Sequence, residues 1–172
     1  MQRDFVDWAI ERWTDERGDL DLSSIAVVGR LLRIAGLLQH RFERLCREHG
    51  VSFWAFSVLT ALRRAGAPYR LSPTQLHRAG MVSSAAVTRR VKRLEELGLV
   101  ERLADPADGR GALVGLTPAG LALVDELGER YLEEERAAIA VLGQAEQDEL
   151  ARILRRLLLG LEGPRTGPTA RL

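Results

Sequence analysis

Apolar residues recur along most of this chain at spacings of three and four, the period of an amphipathic helix. Residues 3–14 place Phe5, Trp8, Ala9 and Trp13 on one side. A polar loop from Asp15 to Asp21 separates them from a long helix predicted to start near Ser23 and Ser24 and to stop at Gly50. Its stripe is Val28, Leu31, Leu32, Ala35, Leu38, Phe42 and Leu45. Ser52 is placed to cap the next helix, which carries Phe53, Phe56, Leu59 and Leu62 and ends by Gly66 and Pro68. Ser72-Pro73-Thr74-Gln75 opens a short helix: a capping serine, proline at the first helical position and glutamine three residues after the cap. It runs to about Ala79, with Gly80 as its stop. Ser83 or Ser84 then caps a helix over 84–97 with Val87, Val91, Leu94 and Leu97 apolar, ended by Gly98.

Beyond Gly98 the helical period disappears. Leu99–Leu103 and Ala112–Leu116 read as short strands around a turn-rich loop, Asp105 to Gly111. Thr117-Pro118 restarts helix, with Leu121, Val124, Leu127, Tyr131 and Leu132 expected inward. A final helix from about Ala145 carries Leu150, Ile153, Leu154, Leu157, Leu158 and Leu161, and the tail 163–172 is expected to be disordered. No repeat is visible. The fold class is mainly α with a small β-hairpin: a helix-turn-helix followed by a wing, set beside long helices. Those outer helices are more apolar than the central lobe needs, and a two-fold partner is the economical place to bury them.

The helix over 84–97 carries the chemistry. Val87, Val91 and Leu94 share one face; Ala85, Arg89, Lys92 and Arg93 occupy the opposite one, with Ala86 beside them and Thr88 and Arg90 on the flanks. Small residues in a first turn permit close approach to a major groove and touch thymine methyls, while arginines further along reach guanine edges or phosphates. A cationic run alone is usually a solvated face. Here it sits on the second helix of a helix-turn-helix and precedes a hairpin with Arg110 near its tip, which points to double-stranded DNA.

Charge supports that division. The chain of 172 residues has a formal net charge of only +1, yet residues 63–110 hold ten Arg and Lys against five Asp and Glu. A basic middle on a slightly acidic remainder suits a DNA-reading lobe joined to a separate dimerisation region. A single cysteine excludes an internal disulfide framework. No signal peptide and no run of ~18 apolar residues is present, so a cytoplasmic protein without membrane association is expected.

Residues 24–162 resemble the MarR family of winged-helix regulators. The resemblance rests on Ala86-Val87-Thr88-Arg89, Arg93-Leu94-Glu95, Gly98-Leu99-Val100-Glu101-Arg102, the wing Asp105-Pro106-Ala107-Asp108-Gly109-Arg110, and Leu116-Thr117-Pro118-Ala119-Gly120. It implies one domain over 1–162, with 1–50 and 117–162 as a helical dimerisation region and 51–116 as the winged helix-turn-helix lobe. It also implies an obligate homodimer, a recognition helix at 84–97, and a wing whose Arg110 enters the minor groove while Asp108 holds Arg110 or the hairpin base. The DNA-binding set is then Ser83, Ser84, Ala85, Ala86, Thr88, Arg89, Lys92, Arg93, Asp108 and Arg110. Lys92 stands where the family often has Asp, and Gly109 where a second wing cation is common.

The N-terminal helix precedes the family's minimal unit and resembles the urate-responsive branch, where a Trp, an Asp and two Arg line a pocket. Trp13, Arg90 and Arg102 match three of these, and Ser57 falls where that branch has its Asp. The match implies a small anionic or phenolic effector, not urate itself, held by Trp8, Trp13, Ser57, Arg90 and Arg102. Each Trp is equally consistent with filling a dimer core.

Other chemistry finds little footing. His40, His49 and His77 have no metal-ligand spacing, and neither a nucleophile–base grouping nor a phosphate loop is readable, so no metal, no cofactor and no enzymatic activity is expected. Cys46 lies near a helix end beside Arg44, Arg47 and His49, a setting that lowers thiol pKa values; a structural cysteine is the plainer reading. The function expected is a homodimeric, ligand-released transcriptional repressor on a pseudo-palindromic operator. The alternatives are a winged-helix protein-interaction module and a redox-responsive regulator using Cys46.

Overall fold

The computed structural model describes residues 2–80, 84–105 and 108–163; the side chains at 84–87 and 108–110 lie outside that description, as does the tail from 164. The chain forms two compact units, residues 1–44 and 45–172.

In the first unit, α1 (Phe5–Glu16) begins two residues later than an N-terminus at residue 3 because Asp4 is its cap. The Asp4 carboxylate accepts from the Val6 and Asp7 amides, and Asp7 reaches back to the Asp4 amide, so three otherwise orphaned donors are satisfied. α2 (Ile25–Glu48) is a single long helix. Its Arg30 clasps α1, donating to Asp4 at 2.8 Å and to Asp7 at 2.6 Å. The two aspartates are held below the ordinary carboxylate range, by backbone amides first and Arg30 next. Val6, not the aromatic residues, is the buried side chain of α1.

The second unit is built on α3 (Phe53–Arg64), whose N-cap Ser52 accepts from the Ala55 amide at 3.0 Å. α4 (Pro73–Gly80) and α5 (Ser84–Glu96) form the helix-turn-helix. The capping box at the start of α4 has the expected form: Gln75 accepts from the Ser72 amide at 2.8 Å, and Ser72 from the Gln75 amide at 3.2 Å. α5 stops at Glu96 instead of 97, since Gly98 at φ +68° turns the chain and leaves Leu97 38% exposed. The hairpin pairs β2 (Val100–Asp105) with β3 (Asp108–Leu116) antiparallel, both longer than expected, with an irregularity at Ala104 and Asp105. A third strand, β1 (Arg70–Leu71), adds to the free edge of β3 in the order β1-β3-β2; sequence reading did not find it.

α6 (Pro118–Ile139) starts at its Thr117 cap, and α7 spans Gln144–Glu162. The core gathers Leu59, Leu62, Leu76, Val91, Leu94, Val114 and Leu127, among others, from α3 to α6 and the sheet. Leu132, expected inward, is 51% exposed: it lies roughly 140° round the helix from Leu127. α7 buries none of its residues. Among the described residues, no helix is long and apolar enough to cross a membrane.

Candidate nucleic-acid interface

α5 is oriented by its apolar side. Val91 and Leu94 are buried at 2% and 0% exposure, and this forces Thr88, Arg89, Lys92 and Arg93 outward, where all four are exposed. These four form one solvent-facing row. Ser84, Ala85 and Ala86 belong to the first turn of α5, though their side chains lie outside the described residues, and Ser83 is itself undescribed. Asp108 and Arg110 fall on the first residues of β3, beside the hairpin turn; their side chains are likewise outside the description.

The cations of α5 differ in how they are held. Arg93 donates to Glu96 at 3.1 Å with both side chains largely exposed. Exposed pairs of this kind contribute ~0–1 kcal/mol, so a phosphate or a base edge competes for Arg93 at little cost. Arg90 turns the other way. Its guanidinium carbon sits 4.9 Å over the Trp54 ring of α3, and its Nη1 is buried with no hydrogen-bond partner.

Trp54 opens onto a cleft of about 1160 Å³ between α3 and α6, lined by Phe53, Trp54, Phe56, Ser57, Arg63, Tyr131 and Leu132 and, among its charged residues, also by Arg64, Asp125, Glu129 and Glu135. Phe53 and Phe56 flank Tyr131, with ring centroids 6.5 and 5.7 Å away. Burial, followed by the charge of Glu135, pushes the Tyr131 phenol up to about 12. Also on the cleft lining, Arg63 donates to Asp125 at 2.7 and 3.4 Å. The Ser57 hydroxyl donates to the Trp54 carbonyl at 2.8 Å, which leaves its lone pairs as the group it offers the cleft.

Of the five residues expected to bind an effector, the structure sets Ser57 on the cleft wall and Arg90 against Trp54. Arg102 on β2 is instead engaged by Glu95, at 2.9 Å. Arg90 and Glu95 project from α5 roughly 140° apart, so the two arginines serve different sides of that helix. Trp8 and Trp13 are 55% and 52% exposed in the first unit. Trp54 was not singled out from the sequence. The available signal was an aromatic one residue off the Phe53–Phe56–Leu59–Leu62 stripe, three residues before Ser57. Cys46 is completely buried. Among the described residues, no three His, Cys, Asp or Glu gather as a metal site.

Comparison with known proteins agrees with this geometry. The model of the MarR family matches residues 49–111, from the end of α2 through the wing. The HTH-type transcriptional regulator PecS of Dickeya dadantii is 32% identical over 148 residues, which cover 86% of this chain and 89% of PecS. Sco3205 of Streptomyces coelicolor, a MarR family transcriptional regulator solved in complex with DNA, superposes with a TM-score of 0.75 at 25% identity, covering 84% of this chain and 91% of its own. BpsR of Bordetella bronchiseptica, solved to explain how 6-hydroxynicotinic acid regulates its DNA binding, superposes with a TM-score of 0.66 at 30% identity, over 76% of this chain and 97% of its own.

Proposed function

This chain belongs to the MarR family of DNA-binding transcriptional regulators, which are not enzymes, and on that footing we propose that it works as a homodimeric repressor released from a pseudo-palindromic operator by a small anionic aromatic ligand. The outward row Thr88, Arg89, Lys92 and Arg93 on a helix anchored by Val91 and Leu94 carries this reading. In it, α5 lies in the major groove, with Ser83, Ser84, Ala85 and Ala86 at the closest approach, and Arg110 enters the flanking minor groove with Asp108 bracing the hairpin. A second copy of the chain covers the apolar stripe of α7. Residues 1–50 and 117–162 then act as the dimerisation region and 51–116 as the reader.

The ligand part rests on Arg90 and Trp54. A buried guanidinium nitrogen lacking an acceptor, against an aromatic ring at the edge of an aromatic cleft, favours a planar ligand bearing a carboxylate or phenolate. The regulation of BpsR by 6-hydroxynicotinic acid, an aromatic carboxylate, supports the same class.

Fluorescence anisotropy with random-sequence duplex, titrated from low to high salt, tests the DNA reading. Each phosphate neutralised contributes about −0.9 to the slope of log affinity against log salt, so several α5 cations should give a steep line. A flat line would instead mark a protein-interaction module.

A further inference from the structure

Thr117 joins the end of the recognition helix to the start of α6. α5 closes at Gly98, whose amide donates to the Glu95 carbonyl at 2.9 Å while the Leu99 amide donates to Leu94, also at 2.9 Å. The next two carbonyls are taken by one residue. The Thr117 hydroxyl donates to the Gly98 carbonyl at 2.7 Å, and the Thr117 amide donates to the Leu99 carbonyl at 3.2 Å. The same hydroxyl oxygen accepts from the Gly120 amide at 3.0 Å as the N-cap of α6. One side chain therefore caps α6 and finishes the turn after α5.

Gly120 makes this approach possible. A Cβ there would lie 1.9 Å from the Leu99 carbonyl oxygen, so any other residue forces the first turn of α6 off the α5 turn. The strands between, β2 and β3, pair with Val100 opposite Leu116, immediately beside the joint. The recognition helix is therefore coupled at its C-terminus to α6, the helix whose later turns carry Tyr131 and Leu132 into the cleft wall.

We infer that Thr117 is a positioning residue for DNA reading: through the Thr117–Gly98 bond and the Gly120 contact, α6 sets the tilt of α5, and with it the half-site separation that the two recognition helices accept. The inference rests on the DNA reading above. Two helices reading one face of a duplex must match its ~34–36 Å turn, so a loosened joint blurs spacing before it weakens phosphate contact.

The test compares the full chain with Thr117→Ser, which keeps the hydroxyl, and Thr117→Val, which removes it at nearly constant volume. A duplex selected by the wild-type chain from a random library is remade with one or two base pairs added or removed between half-sites. Thr117→Val should lose about tenfold of the preference for the selected spacing, at unchanged non-specific affinity and salt slope, while Thr117→Ser keeps the wild-type pattern. An unchanged spacing preference in Thr117→Val overturns the inference. If the wild-type chain selects no duplex, it is the DNA reading that fails, and amide exchange decides the joint: faster exchange at Gly98 and Leu99 and in the first turn of α6 in Thr117→Val upholds it, and unaltered protection removes it.

Discussion

Arg90 lays its guanidinium over the Trp54 ring at 4.9 Å, so α5 touches the wall of the α3–α6 cleft through a cation and an aromatic face. Its buried Nη1 has no partner, and a donor left so costs ~1–3 kcal/mol. In the proposed reading, a ligand oxygen arriving there would recover that energy and act on α5. Trp54 reports on the event because it is both wall and contact.

The first prediction follows. Aromatic carboxylates should quench Trp54 fluorescence, and Trp54→Leu should weaken their binding about tenfold, in keeping with the ~0.5–1.5 kcal/mol of an aromatic ring contact. Titrating Trp13→Phe and Trp54→Phe separately assigns the quench. If the signal vanishes with Trp13 and persists without Trp54, the ligand sits elsewhere.

A second prediction concerns the outward row. Arg89→Ala should cost ~1–3 kcal/mol of specific binding if Arg89 meets a base edge, and the double change with Arg93→Ala should lower the salt slope by ~1–2. Both side chains are exposed, so the melting temperature should hold. Selective operator binding by the double variant at physiological salt would place recognition on another element.

What the sequence showed and what it hid divide along the range of the interaction. The caps at Ser52, Ser72 and Thr117 were legible because a cap is a contract among four consecutive residues. The outward row on α5 was legible too, since burying Val91 and Leu94 leaves its direction no choice. β1 was not: two residues, Arg70 and Leu71, have no period, and they become a strand only by pairing with Gly115 and Val114. Arg102 looked available for a ligand until Glu95, on the preceding helix, took it. Trp54 meets Arg90, thirty-six positions later, only through the packing of α5 on α3.

A third prediction uses the Tyr131 phenol. Burial raises its pKa to about 12, whereas in the unfolded chain it is ~10. Below pH 10 both states hold the proton and stability is unaffected. As pH rises from 10 towards 12 the unfolded chain releases its proton first, so the folded state loses stability in that window. The ring is only partly buried, so the slope should be shallow. Melting temperatures between pH 9 and 12 should therefore fall more steeply for wild type than for Tyr131→Phe; parallel curves would mean that the phenol ionises in place.

The last prediction tests the second copy. No residue of α7 enters the core of its own unit, yet Leu150, Ile153, Leu154, Leu157, Leu158 and Leu161 form one stripe along it, each 38% exposed or more. An apolar stripe of that length is rarely left to water, and a two-fold partner buries it against itself. Leu157→Glu puts a charge at its centre, where a buried unpaired carboxylate is far costlier than a lost methyl contact. Sedimentation at micromolar concentration should therefore show a dimer for wild type and a monomer for Leu157→Glu. Circular dichroism should retain the helices of the central lobe, because its core contains nothing from α7. A monomer presents one recognition helix, so the preference for a paired half-site over a single one should disappear while non-specific, salt-sensitive binding remains. A Leu157→Glu chain that still sediments as a dimer would move the interface off α7.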